Sequence, residues 1–209
     1  MFLRSLWILG CYLVGSIPNG YWVVKTFMGI DVREHGSGNI GFTNVLRVGG
    51  AKLGIPVFLL DILKGAVPVY LTIRLFPGEE LIYVLAGAAC LIGHSWSCFL
   101  GFRGGKIVAT SLGVFLVLKW EAILICSVVF LIVFAATRIV SLGSLLAAVT
   151  LVLVQVVEHF YFPAWSPGME IFVFSVLAAI LVVIKHRSNI RRLLAGEENI
   201  LSLSKGTPS

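Results

Sequence analysis

From His35 to Arg47 the sequence reads HGSGNIGFTNVLR, gathering glycine, small hydroxyl and amide residues around one arginine. This mixture suits the capture of an anion. Gly36, Gly38 and Gly41 let backbone amides turn toward a ligand, Ser37 and Thr43 add hydroxyl donors, Asn39 and Asn44 add amides, and Arg47 offers a planar fork that matches phosphate. In a second stretch, Gly104, Gly105 and Lys106 precede IVATSLGVF and are expected at a helix N-terminus, where unpaired amides favour negative charge. It is not a Walker loop, because Ile107 stands where that pattern requires Ser or Thr. Taken alone it also reads as a plain turn with a snorkelling lysine. In a third stretch, KHRSNIRRL, His186 and Asn189 lie three apart and share a face if the last helix continues past the membrane boundary. Ile190, Leu193 and Leu194 then form an apolar stripe beside Arg191 and Arg192, as in a helix lying in the interface. Taken alone, this segment reads as a basic anchor with an incidental histidine.

Further polar groups fall inside apolar runs. Asp61 and Lys64 lie one turn apart in FLLDILKGAVP, and as neighbours they can offset each other's cost in hydrocarbon, either as a structural pair or with a functional role. His94, ahead of Trp96, is expected to bond between helices near the site. Cys11, Cys90, Cys98 and Cys126 all sit in apolar segments with no CxxC pair, so they read as small core residues. No His, Cys or carboxylate cluster has metal-ligand spacing, and no metal is expected.

These groups have to be positioned by membrane helices. Of 209 residues, 58% are hydrophobic and 12% charged, about half the charge of an ordinary soluble domain. Apolar runs long enough to cross a bilayer fall near 3–24, 53–76, 81–100, 105–119, 121–137, 140–162 and 169–185. The first lacks a small-x-small cleavage site and continues past Pro18, so it reads as a retained helix. Ile107 to Ala136 could be one helix, but at about 1.5 Å per residue it would be too long without strong tilt, and Lys119-Trp120-Glu121 suits a turn. No internal repeat is apparent, and 1–209 reads as a single polytopic domain.

Charge orients the bundle. With seven spans, one side collects Lys25, Arg33, Arg47, Lys52, Arg103, Lys106, Arg138, Lys185, Arg187, Arg191, Arg192 and Lys205, and the other holds Arg4, Arg74 and Lys119. The first side is expected to be cytoplasmic, with the N-terminus outside and a cytoplasmic tail 186–209. The net charge of +6 is thus a topology signal, and nucleic acid is not an expected partner. The expected fold is all-α, with seven transmembrane helices, short interfacial helices and glycine-rich cytoplasmic loops. Glu79, Glu80, Glu121, Glu158, Glu170 and His159 fall outside with no visible task.

Three segments, GSGNIGFTNVLR, GHSWSCFLGFRGGKIVATSLGV and KHRSNIRRLLAGEE, resemble the motifs of the bacterial acyl-phosphate:glycerol-3-phosphate acyltransferase family (PlsY type). SIPNGYWVVK and LLDILKG resemble family positions in the first two helices, so the likeness spans nearly the whole chain. It implies transfer of a fatty acyl group from acyl phosphate to the 1-hydroxyl of glycerol 3-phosphate, giving lysophosphatidic acid at the first step of phospholipid synthesis. It also implies a bacterial cytoplasmic membrane, a site facing the cytoplasm, and neither a cofactor nor coenzyme A. By the same resemblance Ser37, Arg47 and Lys106 match phosphate-contacting positions, His186 and Asn189 match positions near glycerol 3-phosphate, and Glu197 matches an acidic position linked to site integrity. The resemblance further implies that substrate phosphate acts as the base with His186 orienting, while His186 itself, with a reference pKa of about 6.5, is the alternative base. The chain departs from the pattern at Ser97, where proline is usual, at Ile107, where GGKG is usual, and at Phe42, where alanine is usual.

Two other observations bear on the donor and on rivals. The HxxxxD pattern of thioester-dependent acyltransferases is absent, because Ile40, Phe99, Ala164 and Arg191 stand five positions after or at the end of the frames opened by His35, His94, His159 and His186. A transporter for a small phosphorylated anion would also use glycine-rich basic segments, with Asp61 and Lys64 lining a path. The polar motifs, however, crowd one membrane face.

Overall fold

The computed structural model describes residues 1–201; the end of the expected tail, 202–209 with Lys205, lies outside the described residues. Among the described residues there are nine α-helices and no strand. The first expected span is divided into α1 (Phe2–Ser16) and α2 (Asn19–Met28). Pro18 carries no amide hydrogen, so the helical ladder ends at Ile17 and restarts beyond the proline. This corrects the expectation of one continuous helix over 3–24.

α3 (Phe42–Leu75) begins well before residue 53, because the end of the first glycine-rich stretch is itself helical. It consists of two rods joined at Gly50, whose φ of 69° interrupts the helix. α4 (Glu80–Ser95) ends short of residue 100, and Cys98–Leu100 form a single 3-10 turn. α5 (Val108–Leu118) and α6 (Trp120–Thr137) are separate helices that meet at Lys119 (φ −152°, ψ 64°), so a single helix from Ile107 to Ala136 does not form. α7 (Val140–Tyr161) and α8 (Met169–Lys185) follow, and α9 (Arg187–Leu194) departs from α8 at 61°. By length and apolarity α3, α6 and α7 can each cross a membrane, and the bent pair α8 and α9 makes a fourth. α1, α4 and α5 are apolar but shorter. The 11 residues of α5 extend only about 16 Å, because its N-terminus starts at the candidate site inside the bundle.

Close packing comes from small residues. α1 lies against α4 with Gly15 on the Cys90 backbone and Gly93 on the Tyr12 carbonyl, and α3 lies against α5 with Gly65 on Thr110 and Gly113 on Ile62. A Cβ at any of these would collide with backbone, so the helices approach as only small residues allow. The core between them holds Cys11, Val69, Cys90, Leu91, Val114, Phe115 and Phe174.

Polar clamps hold both ends of this core. Asp61 accepts from Lys64 at 2.8 Å and from Asn19 at 2.9 Å, and the Lys64 ammonium also donates to the Ile17 carbonyl at 2.7 Å. That carbonyl is available because the helix breaks there, so the proline break and the buried lysine form one joint. At the opposite end, buried Lys119 pairs with Glu158 at 3.0 Å and donates to the Trp165 carbonyl at 2.7 Å, with Glu121 at 3.7 Å. Arg4 pairs with Glu79 at 2.7 Å. Glu79, Glu121 and Glu158, expected to have no task, thus tie helix ends together.

One connection is strained. Ile107, fully buried, has φ 62° and ψ −9°, a left-handed conformation that costs a β-branched residue about 1–2 kcal/mol. Burial of its side chain in the core offsets this, since removing a buried isoleucine costs about 2–5 kcal/mol. Both Ile107→Gly and Ile107→Ala should therefore lower the melting temperature in detergent. The glycine variant should be the more stable of the two by about 1 kcal/mol, because only glycine relieves the backbone; the reverse order would refute the strain. For the buried pair, Asp61→Leu alone should destabilise by about 3–5 kcal/mol by stranding Lys64, and adding Lys64→Met should recover part of that loss. A double variant less stable than Asp61→Leu would count against the clamp.

Candidate active site

The first stretch is organised by Asn44, which is 1% exposed. Its amide donates to the carbonyls of Val32, His35 and Asn39 at 2.9–3.1 Å, and its carbonyl accepts from the Ser37 amide at 2.7 Å. Its hydrogen-bonding capacity is taken up by the loop, so among the expected phosphate ligands Asn44 is a scaffold. Asn39 likewise turns its side chain onto the Gly41 amide at 2.8 Å. Left-handed Gly36 and Gly38 allow the loop to fold back over α3. Ser37, Thr43 and Arg47 line the resulting cavity, and Arg47 has no ion-pair partner among the described residues.

The second stretch lies against the end of α4. Gly104 packs on the carbonyl of His94 and Gly105 on its ring, with the Gly105 amide donating to the His94 carbonyl at 3.0 Å. A Cβ at Gly104 would meet the His94 carbonyl and one at Gly105 the His94 ring, so these glycines serve close approach. His94 is buried, with Nδ1 3.9 Å from Asp61, and both line the cavity; the His94 Nδ1 makes no hydrogen bond among the described residues, which corrects the expected bond between helices. Lys64 stands behind Asp61 and outside the lining. Lys106 follows immediately and enters the cavity.

The third stretch closes the site. His186 at the α8–α9 bend and Asn189 on the inner face of α9 are 3% and 5% exposed. His186 Nδ1 lies 2.8 Å from the Val182 carbonyl, which can only accept, so Nδ1 carries the proton and Nε2 presents a lone pair. Asn189 accepts a short hydrogen bond from the Lys106 ammonium and donates to Glu198 at 2.7 Å. Glu198 also accepts from Ser141 at 3.0 Å and from Arg192 at 2.8 Å. Of the two adjacent glutamates, Glu198 makes these contacts, while Glu197, the expected supporting residue, is exposed. Beyond Glu198, the Leu201 amide donates to the Arg138 carbonyl at 3.0 Å, so 195–201 runs as a strap across the site to the α6–α7 turn.

The three stretches therefore meet at one cavity of about 170 Å³ whose wall includes Ser37, Arg47, Lys106, His186, Asn189 and Glu198. Its electrostatics are dominated by cations. Burial, with Arg192, Arg47 and Lys185 nearby, pushes the Lys106 ammonium down to about 8, and Glu198 offsets only part of this. Burial, and then Lys106, push His186 down to about 4 against the Val182 bond, leaving the ring neutral at pH 7. For Glu198, burial acts to raise the carboxyl, but hydrogen bonds from Asn189, Arg192 and Ser141 outweigh it and hold the group below the usual carboxylate range. Ser141, Arg192 and Glu198 were not singled out by sequence reasoning. Ser141 lies in an apolar helix without a motif, and no periodicity distinguishes Glu198 from Glu197 beyond the end of α9.

The cavity adjoins a second one of about 420 Å³, with which it shares Phe42, Phe58, Val108, Ala109, Phe130 and Ser144. The second cavity runs between α5, α6, α7 and α8 and is lined almost wholly by apolar side chains.

Comparison with known proteins agrees with this geometry. Residues 5–196 match the glycerol-3-phosphate acyltransferase family. Relatives named glycerol-3-phosphate acyltransferase include one from Fusobacterium nucleatum, 42% identical over 90% of this chain and 93% of the relative, and one from Halalkalibacterium halodurans, 43% identical over 99% and 100%. The fold is similar to crystal structures of PlsY, an integral membrane glycerol 3-phosphate acyltransferase. In its glycerol 3-phosphate form the TM-score is 0.85 at 36% identity, covering 95% of this chain and 96% of that one. In its lysophosphatidic acid form the TM-score is 0.84 at the same identity, covering 95% of each. With its anion pocket joined to an apolar cavity inside a bundle of apolar helices, the chain belongs to the glycerol-3-phosphate acyltransferase family.

Proposed function

We propose that this protein transfers a fatty acyl group from acyl phosphate to the 1-hydroxyl of glycerol 3-phosphate, releasing lysophosphatidic acid and inorganic phosphate at the first step of phospholipid synthesis. The observation that carries this reading is the junction of a cationic pocket with an apolar cavity, because both reactants are phosphorylated and only one has a long tail. The acyl chain lies in the apolar cavity with its phosphate at the junction, and glycerol 3-phosphate enters from the polar side. Arg47 and Lys106, with the Ser37 hydroxyl, neutralise the phosphates. The Nε2 lone pair of His186 accepts from a glycerol hydroxyl and orients it, and Glu198 holds Asn189, which holds Lys106.

The acceptor oxygen attacks the acyl carbon, the carbon–oxygen bond to phosphate breaks, and the hydroxyl proton passes to the departing phosphate. A ring held near pKa 4 is a weak base at pH 7, which favours substrate phosphate as proton acceptor and positioning as the role of His186. Holding two reactants in line supplies much of the acceleration.

The proposed setting is a bacterial cytoplasmic membrane crossed seven times, N-terminus outside and site facing the cytoplasm. Basic residues around the site and the near absence of them at the opposite helix ends support that orientation. The shorter helices α1, α4 and α5 count as spans in this arrangement, each meeting a connection that sits within the bundle.

The reading is checked by supplying the purified protein with acyl phosphate and glycerol 3-phosphate and measuring phosphate release against lysophosphatidic acid. One-to-one formation is expected, with no product from acyl-coenzyme A; vesicle uptake without acyl transfer would replace the reading with transport. Lys106 is charged below about pH 8, so kcat/KM for glycerol 3-phosphate should fall as pH rises through that value, and Lys106→Arg should remove this limb by keeping the charge. Loss of the His186 acceptor in His186→Ala should raise KM for glycerol 3-phosphate about tenfold with little change in KM for the donor. An unchanged acceptor dependence would rule out the assigned role.

A further inference from the structure

The six residues common to both cavities are Phe42 and Phe58 of α3, Val108 and Ala109 of α5, Phe130 of α6 and Ser144 of α7. They come from four helices, and phenylalanine dominates them. The two rings on α3 are 16 positions apart in sequence, a separation of about 24 Å along a straight helix. Their centroids nevertheless lie 4.9 Å apart, with 43° between planes. The break at Gly50 accounts for this. Its φ of 69° with ψ of −176° is a conformation open to glycine, and it folds the two rods of α3 back on each other, so that a Cβ at Gly54 would come within 3.0 Å of the Leu46 Cα. Phe130 is held separately: its ring stacks on Phe134 at 6.1 Å, and Gly143 of α7 packs so closely that a Cβ there would lie 2.9 Å from the ring.

Phe42 also stands at the edge of the phosphate-binding stretch. It is the first residue of α3, between Gly41 and Thr43, which line the cationic pocket, while its ring borders the apolar cavity as well. It is one of the positions at which the chain departs from the family pattern.

Resting on the acyl-transfer reading above, we propose that Phe42, paired with Phe58, is a specificity-determining residue for the acyl donor, selecting for a chain unbranched beside its carbonyl. A donor with its phosphate among the cations and its tail in the apolar cavity runs past the residues that the two cavities share, and the carbons at that point are those next to the carbonyl. Unbranched methylenes lie flat against the rings. A methyl on the second carbon needs volume that the Phe42 ring occupies, and a misfit of one carbon in an apolar site is worth about tenfold or more in kcat/KM. A methyl near the far end of the chain lies away from these rings.

The test compares two isomeric donors, 2-methylhexadecanoyl and 15-methylhexadecanoyl phosphate, with the full-length protein in detergent. The readout is the ratio of kcat/KM for the first over the second, taken relative to the unsubstituted protein, so that the intrinsic slowness of attack at a branched acyl group cancels. Phe42→Ala should raise the ratio about tenfold. Ala109→Val crowds the same space from α5 and should lower it by about threefold or more, which keeps the test decisive should the phenylalanine variant fold poorly. A ratio within about twofold of the unsubstituted protein in either variant would overturn the proposal while leaving acyl transfer intact. Absence of turnover with unbranched hexadecanoyl phosphate in the unsubstituted protein would instead remove the donor reading, and the selection with it.

Discussion

The candidate site depends on meeting the cost of gathering like charges within a bundle of apolar helices. Arg47, Lys106 and Arg192 border one small cavity, and Glu198 is the carboxylate set among them. At a low local dielectric such a cluster repels itself, and one carboxylate cannot balance it. The excess positive charge is what a doubly phosphorylated pair of reactants would relieve on binding. Each member of the cluster is held in place: Arg47 is carried on α3, Lys106 follows the glycine pair packed on His94, and Arg192 pairs with Glu198.

That fixation depends on interruptions in helices. The break at Ile17 and Pro18, the left-handed Ile107 and the bend at His186 all fall beside the cavity or its supporting clamp. Irregular backbone within a membrane bundle is tolerated only where other protein groups satisfy it. Here the Ile17 carbonyl is met by Lys64, the His94 carbonyl by Gly105, and the Val182 carbonyl by the His186 ring. Gly104 and Gly105 pack on His94, whose Nδ1 lies 3.9 Å from Asp61, so the buried Asp61 and Lys64 pair adjoins the second stretch through His94.

Much of this was legible in the sequence, and the limits have physical causes. Apolar runs and charge placement marked where helices lie, since composition must match the solvent on either side of each segment. Arg47, Lys106, His186 and Asn189 were readable because residue type and spacing announce anion chemistry. Boundaries near proline and glycine were not, because hydropathy is blind to a broken hydrogen-bond ladder: Tyr21 to Val24 are as apolar as a continuing helix would be. Asn44 read as a ligand because its carboxamide suits phosphate, and only the fold reveals that three carbonyls and one amide occupy it. Glu197 and Glu198 are chemically identical, and a single turn of backbone after Gly196 decides which one points inward. Charge placement put the three stretches on one side, and the resemblance gave the supporting role to Glu197, whereas the neighbouring Glu198 makes the contacts.

The route of the strap has a consequence for biogenesis. Lys106 and Asn189 are separated by 83 positions and Ser141 and Glu198 by 57, so the pocket is stitched from distant parts of the polypeptide. Synthesis from the N-terminus makes Arg47 and Lys106 before Glu198, so the carboxylate that offsets the two cations joins the pocket after both of them.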